Sequence, residues 1–336
     1  MKIISLILVI SLLSCSDPDS NQGISGFTMG TSYSVSWVAT DGLTEIDSKQ
    51  IKNAIDIRLD EINQLMSTYD NRSQISIVNQ SYKTGWQSVA KELASLVQTS
   101  LEICAQSQGT FDITIGPLVN LWGFGSSYTK FTPPTPTELE IVNQSIGCEY
   151  LDSRLEPPSI NKKHENITID LSAIAKGYAV DQIATILDQY GLHNYLIEIG
   201  GELKAKGRAS HGEFWRIGIE TPHLERSNIQ DIISLDNIAV ATSGNYRNFI
   251  EYEGKIYSHV IDPRTSKPIQ HNLTSVTVID KNAARADAWA TALLVLGPNE
   301  ALKIANQHGL AIYMITREGN EFKSTYNKPM QQYIVR

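Results

Sequence analysis

Cysteine and positive charge are both scarce in this chain of 336 residues. Only three cysteines occur, none in Cys-x-x-Cys spacing, which argues against a structural zinc site and against dithiol redox chemistry. Lysine and arginine number 28 against 36 acidic residues, a formal net charge of −8 at pH 7. That balance argues against nucleic acid or an anionic lipid surface as the general partner. The sequence has no internal repeat, low-complexity tract or charge block, and no linker divides it. The nearest linker candidate, FTPPTPTELE (131–140), reads as a loop followed by a helix start. What the chain does have is 41% hydrophobic residues, enough for a sizeable core.

A long apolar run occurs at the N-terminus. Met1-Lys2, IISLILVISLL (3–13) and Ser14-Cys15 form a short positive region followed by an apolar stretch too short to span a bilayer as a permanent helix. Residues 1–14 therefore read as a signal peptide. Leu12 and Ser14 suit lipoprotein processing, after which Cys15 would carry the lipid and anchor an exported chain to a membrane, on the periplasmic side. A plain secretory signal is the alternative. Residues 15–26 read as a flexible tether and 27–336 as one domain. Loss of residues 1–14 removes one lysine and no acid, so the charge becomes −9. Cys104 and Cys148 remain, and an oxidising compartment would let them pair. Cys104, however, follows Leu93, Val97 and Leu101 on one helical stripe, so the expectation is a buried free thiol.

Three segments hold candidate chemistry. NAARADAWATALLVLG (282–297) places Asp287 and Thr291 four residues apart on an apolar helix, which stacks two oxygen side chains on one face. A carboxylate and a hydroxyl so placed suit a hard cation such as Mg2+, though a polar pair at this spacing is also common as a solvated stripe. SHVIDPRTSKPI (258–269) puts His259 at a strand end before an Asp-Pro turn, either facing a cleft as a base near neutral pH or bonded to backbone. NITIDLSAIAKGYAV (166–180) passes from an alternating strand into a helix beginning around Ser172, with Lys176 one turn inside, either beside a ligand or solvated.

These three segments stand in order with FTMGTSYSV (27–35), MSTYDNRSQIS (66–76), GTFDITIGPLVNLWGFG (109–125) and YLIEIGGELKAKG (195–207). Together the seven resemble the ApbE family of FAD:protein FMN transferases, from about Phe27 to about Gly297. The resemblance implies FAD as substrate, Mg2+ as cofactor, and transfer of FMN to a threonine hydroxyl in a Ser/Asp-Gly-x-Thr segment of an acceptor protein, with AMP released. Membrane redox complexes are the family's usual acceptors. It implies His259 as the base and Asp287, Thr291 and the Ala173 carbonyl as metal ligands. It places Met29, Ser67, Thr68, Tyr69, Asp112 and Lys176 against the ligand. Each has a plainer reading: Met29 as core, Tyr69 as a cap on the helix ending near Met66, and Asp112 as an acceptor for local turn amides. Gly200-Gly201 reads as a close approach to ligand or as a strand-end turn. Trp122 reads as core, and His164, His193, His211 and His271 as surface residues.

Apolar periodicity predicts helices through 51–66 and 89–97 and over 137–146, 173–190, 282–296 and 298–307. Strands are expected at 31–38, 166–171, 195–199, 214–220, 238–242, 248–253, 256–261, 273–279 and 310–316. Short turns between most strands from 195 to 279 imply an antiparallel sheet and the α+β class. The resemblance implies a T-fold-like sheet with packed helices and a ligand cleft between two lobes of one domain. Two other functions share these residues: an FAD pyrophosphatase giving FMN and AMP, and a flavin-binding lipoprotein without turnover.

Overall fold

Ile51, Ile55, Leu59, Ile62 and Met66 form one stripe of helix α1 (Glu45–Met66) and are all buried, as helical spacing requires. The computed structural model describes residues 21–38, 45–125, 131–222, 228–246 and 248–335. The proposed signal peptide and Cys15 lie outside them. Further helices are α2 (Gln74–Gln80), α3 (Lys91–Gln106), α4 (Gly116–Leu121), α5 (Pro136–Asn143), α6 (Ala175–Gln189), α7 (Ala283–Leu296) and α8 (Pro298–Gln307). Thr135 and Glu138 form the capping box of α5, so the 131–140 segment is a loop and helix start as expected.

Strands β1 (Asn21–Thr28), β2 (Thr31–Val38), β3 (Gly85–Ser88), β4 (Leu151–Leu155), β5 (Pro158–Lys162), β6 (Tyr195–Ile199), β7 (Glu202–Lys206), β8 (Trp215–Glu220) and β9 (Ile229–Leu235) precede a second group. That group is β10 (Ile238–Gly244), β11 (Phe249–Tyr252), β12 (Lys255–Ser258), β13 (Ile261–Asp262), β14 (Lys267–Pro268), β15 (Leu273–Asp280), β16 (Ala311–Glu318) and β17 (Glu321–Tyr326). Eight of them form one sheet in the order β1-β2-β6-β7-β10-β15-β16-β17, antiparallel at every pairing. The α+β class is therefore the observed one.

Alternation along the strands covers both faces of this sheet. On β16, Ile312 and Met314 point into the main core with the helices, while Ala311, Tyr313 and Ile315 point into a second core. Trp215, Ile219, Ile233 and Leu235 of the β8–β9 hairpin and Met330 close that second face. A third, small cluster gathers Leu118, Trp122 and Ile261 with Phe131, Leu139 and Tyr257. Trp122 is core, and its Nε1 donates to the Ser266 carbonyl. The main cavity opens between this small lobe and the helix-packed sheet.

Four expectations are corrected. The tether is shorter than 15–26, because Asn21–Gly26 lies in β1 and pairs with Ser34–Val38 and Tyr33 on β2. Polar composition there signals an edge strand rather than a free segment. Residues 166–171 form no strand. Their period-two burial is real, but Asn79 takes both backbone groups of Ile169 with its side-chain amide, at 2.8 and 2.7 Å, and no ladder forms. Cys104 is no free thiol: it joins Cys148 in a disulfide, Sγ–Sγ 2.11 Å. His271 is not a surface residue, since its ring packs on Gly297 and its Nδ1 is buried.

Helices α6 and α7 cross at backbone contact. Both are alanine-rich there, and a Cβ on Gly177 would meet the Ala283 carbonyl oxygen at 2.2 Å. Backbone cannot retreat as a side chain does. Gly177→Ala should therefore destabilise the fold by about 1–3 kcal/mol, the usual cost of overpacking, read as a lower urea midpoint with an unchanged m-value.

Candidate active site

The α6–α7 crossing forms one wall of a cavity of about 620 Å³. This is within the ~300–1,000 Å³ usual for small-molecule sites. Asp287 and Thr291 both face it from α7, so the four-residue spacing does put them on one wall. Asp287 is 3% exposed, and its Oδ2 accepts the Gly177 N–H at 3.1 Å. That N–H would otherwise close the first turn of α6 onto the Ala173 carbonyl. No hydrogen bond among the described residues reaches the Ala173 carbonyl, and Ala173 also lines the cavity. Thr291 Oγ1 sits 3.1 Å from Ser243 Oγ of β10.

Lys176 is not a solvated lysine. Its Nζ lies 2.6 Å from Oε2 of Glu202, which is 2% exposed at the start of β7. Burial works against the ammonium, yet Asp287 and Glu202 hold its pKa above the ordinary lysine value. Burial pushes Glu202 up to about 8, with the Asp287 charge adding to it and Lys176 opposing. Asp287 is raised as well, by burial, against the pull of Lys176 and the Gly177 N–H. Two carboxylates thus share one cation in a desolvated wall, which leaves a local demand for further positive charge.

His259 lines the same cavity, with Val260 and Ile261. Its Nδ1 is 2.9 Å from the Asn248 carbonyl. A carbonyl only accepts, so Nδ1 carries the proton and Nε2 is left as the ring's basic atom. The histidine therefore lines the cavity and is bonded to backbone at once. Burial lowers its pKa below 6.5, against the Asn248 bond, so the ring is neutral near pH 7.

Asp112 likewise serves turn amides and lines the cavity. Its Oδ1 accepts the Thr114 N–H at 2.7 Å and the Thr114 hydroxyl at 2.6 Å. Burial raises its pKa in spite of these bonds. Thr68 and Tyr69 line the mouth, with Tyr69 79% exposed. Ser67 does not line the cavity, but its Oγ accepts the Tyr69 and Asp70 N–H groups and so shapes that loop. Met29 is not a lining residue either; it takes the positive φ of 50° in the β1–β2 turn and packs against the main core. Gly200 and Gly201, with φ of 58° and 104°, make the β6–β7 turn and do not line the cavity.

Sequence reasoning missed Glu202, Asn248 and Ser243. A glutamate after a two-glycine turn has the pattern of a solvated hairpin residue, and only the pairing of β7 beside β10 buries it. Ser243 lies two residues past the buried Ile238–Ala241 run of β10, where a hydroxyl carries no distinctive spacing.

A model of the ApbE family matches residues 29–314. The chain belongs to the ApbE family. It is 38% identical over 314 residues to the FAD:protein FMN transferase of Escherichia coli (strain K12), an alignment covering 93% of this chain and 89% of that protein. The solved structure of the flavin transferase ApbE from Vibrio cholerae superimposes with a TM-score of 0.85 at 36% identity, over 94% of this chain and 99% of that one. The ApbE protein from Thermotoga maritima gives a TM-score of 0.82 at 27% identity, over 94% and 100%. In this ApbE-family chain the Lys176–Glu202–Asp287 group sits inside the matched region.

The raised pKa of Glu202 has a stability consequence. Unfolded, the carboxyl ionises near 4.5; folded, near 8, so the native state binds the extra proton between those values. Thermal stability of the protein in EDTA should fall as pH rises from 4.5 to 8. Glu202→Gln should flatten that slope, as scanning calorimetry across the interval would read.

Proposed function

We propose that this chain transfers FMN from FAD to a threonine hydroxyl of an acceptor protein and releases AMP, using Mg2+. The observation that carries the reading is that His259, Asp287, Thr291 and Ala173 line one cavity together. The family relationship and the names of the Escherichia coli and Vibrio cholerae relatives support the same reaction.

A neutral threonine hydroxyl is a poor nucleophile, so the site must accept its proton and align it. The proton goes to His259 Nε2, whose tautomer is set by the Asn248 carbonyl. The threonine oxygen then bonds to the FMN-side phosphorus as the pyrophosphate P–O bond breaks, and the leaving group departs as AMP. Lys176 places positive charge on the same wall. Asp112 would accept hydrogen bonds from the adenosine part, and Thr68 and Tyr69 would flank the ligand at the mouth.

The residues fit a divalent cation. Asp287, Thr291 and the Ala173 carbonyl are all oxygen donors, the set that Mg2+ prefers, and the two buried carboxylates Asp287 and Glu202 outnumber the one Lys176 ammonium beside them. These three would hold the ion, which when bound would neutralise developing phosphate charge.

We also propose that the chain is an exported lipoprotein held to a membrane through Cys15, with the site on the periplasmic side. The acceptor would then be a membrane redox subunit carrying a Ser/Asp-Gly-x-Thr segment.

Mass spectrometry of an acceptor domain carrying Ser-Gly-Ala-Thr tests the reaction, after incubation with the soluble chain, FAD and Mg2+. An FMN-sized addition on that threonine is expected, and free FMN and AMP beside an unmodified acceptor would favour a pyrophosphatase instead. Asp287→Ala should abolish metal-dependent turnover while retaining the fold by circular dichroism; normal turnover in limiting Mg2+ would contradict it. His259→Ala should lower kcat by about 10²–10⁴-fold. In the native enzyme, kcat/KM should rise with pH through a midpoint below 6.5 and stay flat at neutrality, because the neutral ring is the active form.

A further inference from the structure

The Cys104–Cys148 disulfide lies beside the cavity rather than in a remote part of the core. A carboxylate oxygen of Asp112 is within 4.8 Å of both sulfurs. The bond ties the last turn of α3 to the turn at 147–150, across 44 residues of sequence. Both ends of this tie grip the 109–114 loop that presents Asp112.

On the α3 side, the Gly109 N–H donates to the Cys104 carbonyl at 2.8 Å and the Phe111 N–H donates to Ser107 Oγ at 3.2 Å. On the other side, the Gly147 N–H donates to Thr114 Oγ1 at 2.7 Å, and that hydroxyl donates to Asp112 Oδ1 at 2.6 Å. The Cys148 N–H bonds the same carboxylate. Two of the groups that orient Asp112 therefore hang on the 147–148 strap. The disulfide joins that strap to the helix from which the loop itself departs.

We propose that the Cys104–Cys148 disulfide is a positioning element for the ligand site, fixing the Asp112 carboxylate in the cavity through the Gly147-Cys148 strap so that FAD affinity depends on the bond being intact. The proposal rests on the reading of the cavity as an FAD site. Opening the bond takes two electrons and two protons. Dithiothreitol supplies both and closes to its own cyclic disulfide, while Cys104 and Cys148 become thiols. The strap then loses its covalent link to α3 and the carboxylate loses its fixed aim, with no group removed from the wall that holds Asp287, Thr291 and Lys176.

The test is FAD binding by isothermal titration calorimetry to the whole soluble chain in Mg2+, before and after dithiothreitol, with free thiols counted to establish that the bond has opened. The Kd for FAD and the KM should rise about tenfold on reduction, the scale of one misplaced charged hydrogen-bond acceptor, while kcat at saturating FAD stays unchanged. A Cys104→Ala/Cys148→Ala chain should behave as the reduced protein does. In Asp112→Asn, reduction should add little further loss, because the bond acts through that carboxylate. Equal Kd in the two redox states, or a fall in kcat and melting temperature at unchanged Kd, would overturn the proposal and leave the FAD reading standing. An oxidised chain that binds no FAD would overturn both.

Discussion

The site depends on how closely α6 approaches α7. Because residue 177 has no side chain, the two backbones meet at the Ala283 carbonyl, and the Gly177 N–H is turned toward Asp287 instead of back along its own helix. One hydrogen bond thereby does two things. It holds a carboxylate that burial would otherwise disfavour, and it leaves the Ala173 carbonyl without an intrahelical partner at the cavity wall. A wider crossing would lose both. The alanines of α7 are therefore part of the site, although none is a reacting group.

Around that crossing the charges are arranged with a deficit. Lys176 is paired with Glu202 and also feels Asp287, so two buried carboxylates face one half-buried ammonium. A buried net negative charge is costly, and the raised pKa values of Glu202 and Asp287 are that cost expressed as proton affinity. Under the proposed function, a divalent cation bound here would remove the cost and offer charge to a pyrophosphate entering an otherwise acidic protein. His259, which lines the same cavity, is tuned the other way. Burial keeps it neutral, and the Asn248 carbonyl directs its proton to Nδ1, which leaves one nitrogen to receive a proton.

Local pattern made much of this legible. The spacing of Asp287 and Thr291 sets their shared face, and the apolar stripes of α1 and α3 mark the faces that those helices bury. What escaped was decided by partners distant in sequence. Ile167, Ile169 and Leu171 alternate as a strand does, yet Asn79, ninety residues away, takes the backbone bonds of Ile169. Cys104 faces inward as its stripe requires, but the sulfur that meets it lies 44 residues on. Glu202 reads as a surface hairpin residue until β7 is set beside β10 and opposite Lys176. His271, in a polar context, is half-buried, with a glycine at 297 leaving room for its ring.

In the proposed reaction the buried Asp287 carboxylate at the helix crossing holds a divalent cation in the cavity that His259 also lines. Electron paramagnetic resonance of Mn2+ titrated into the EDTA-stripped chain tests it most directly, with Asp287→Asn as the comparison. One bound equivalent that is lost in the variant, with folding intact by circular dichroism, is the expected result. Equal Mn2+ binding by both proteins would contradict the account.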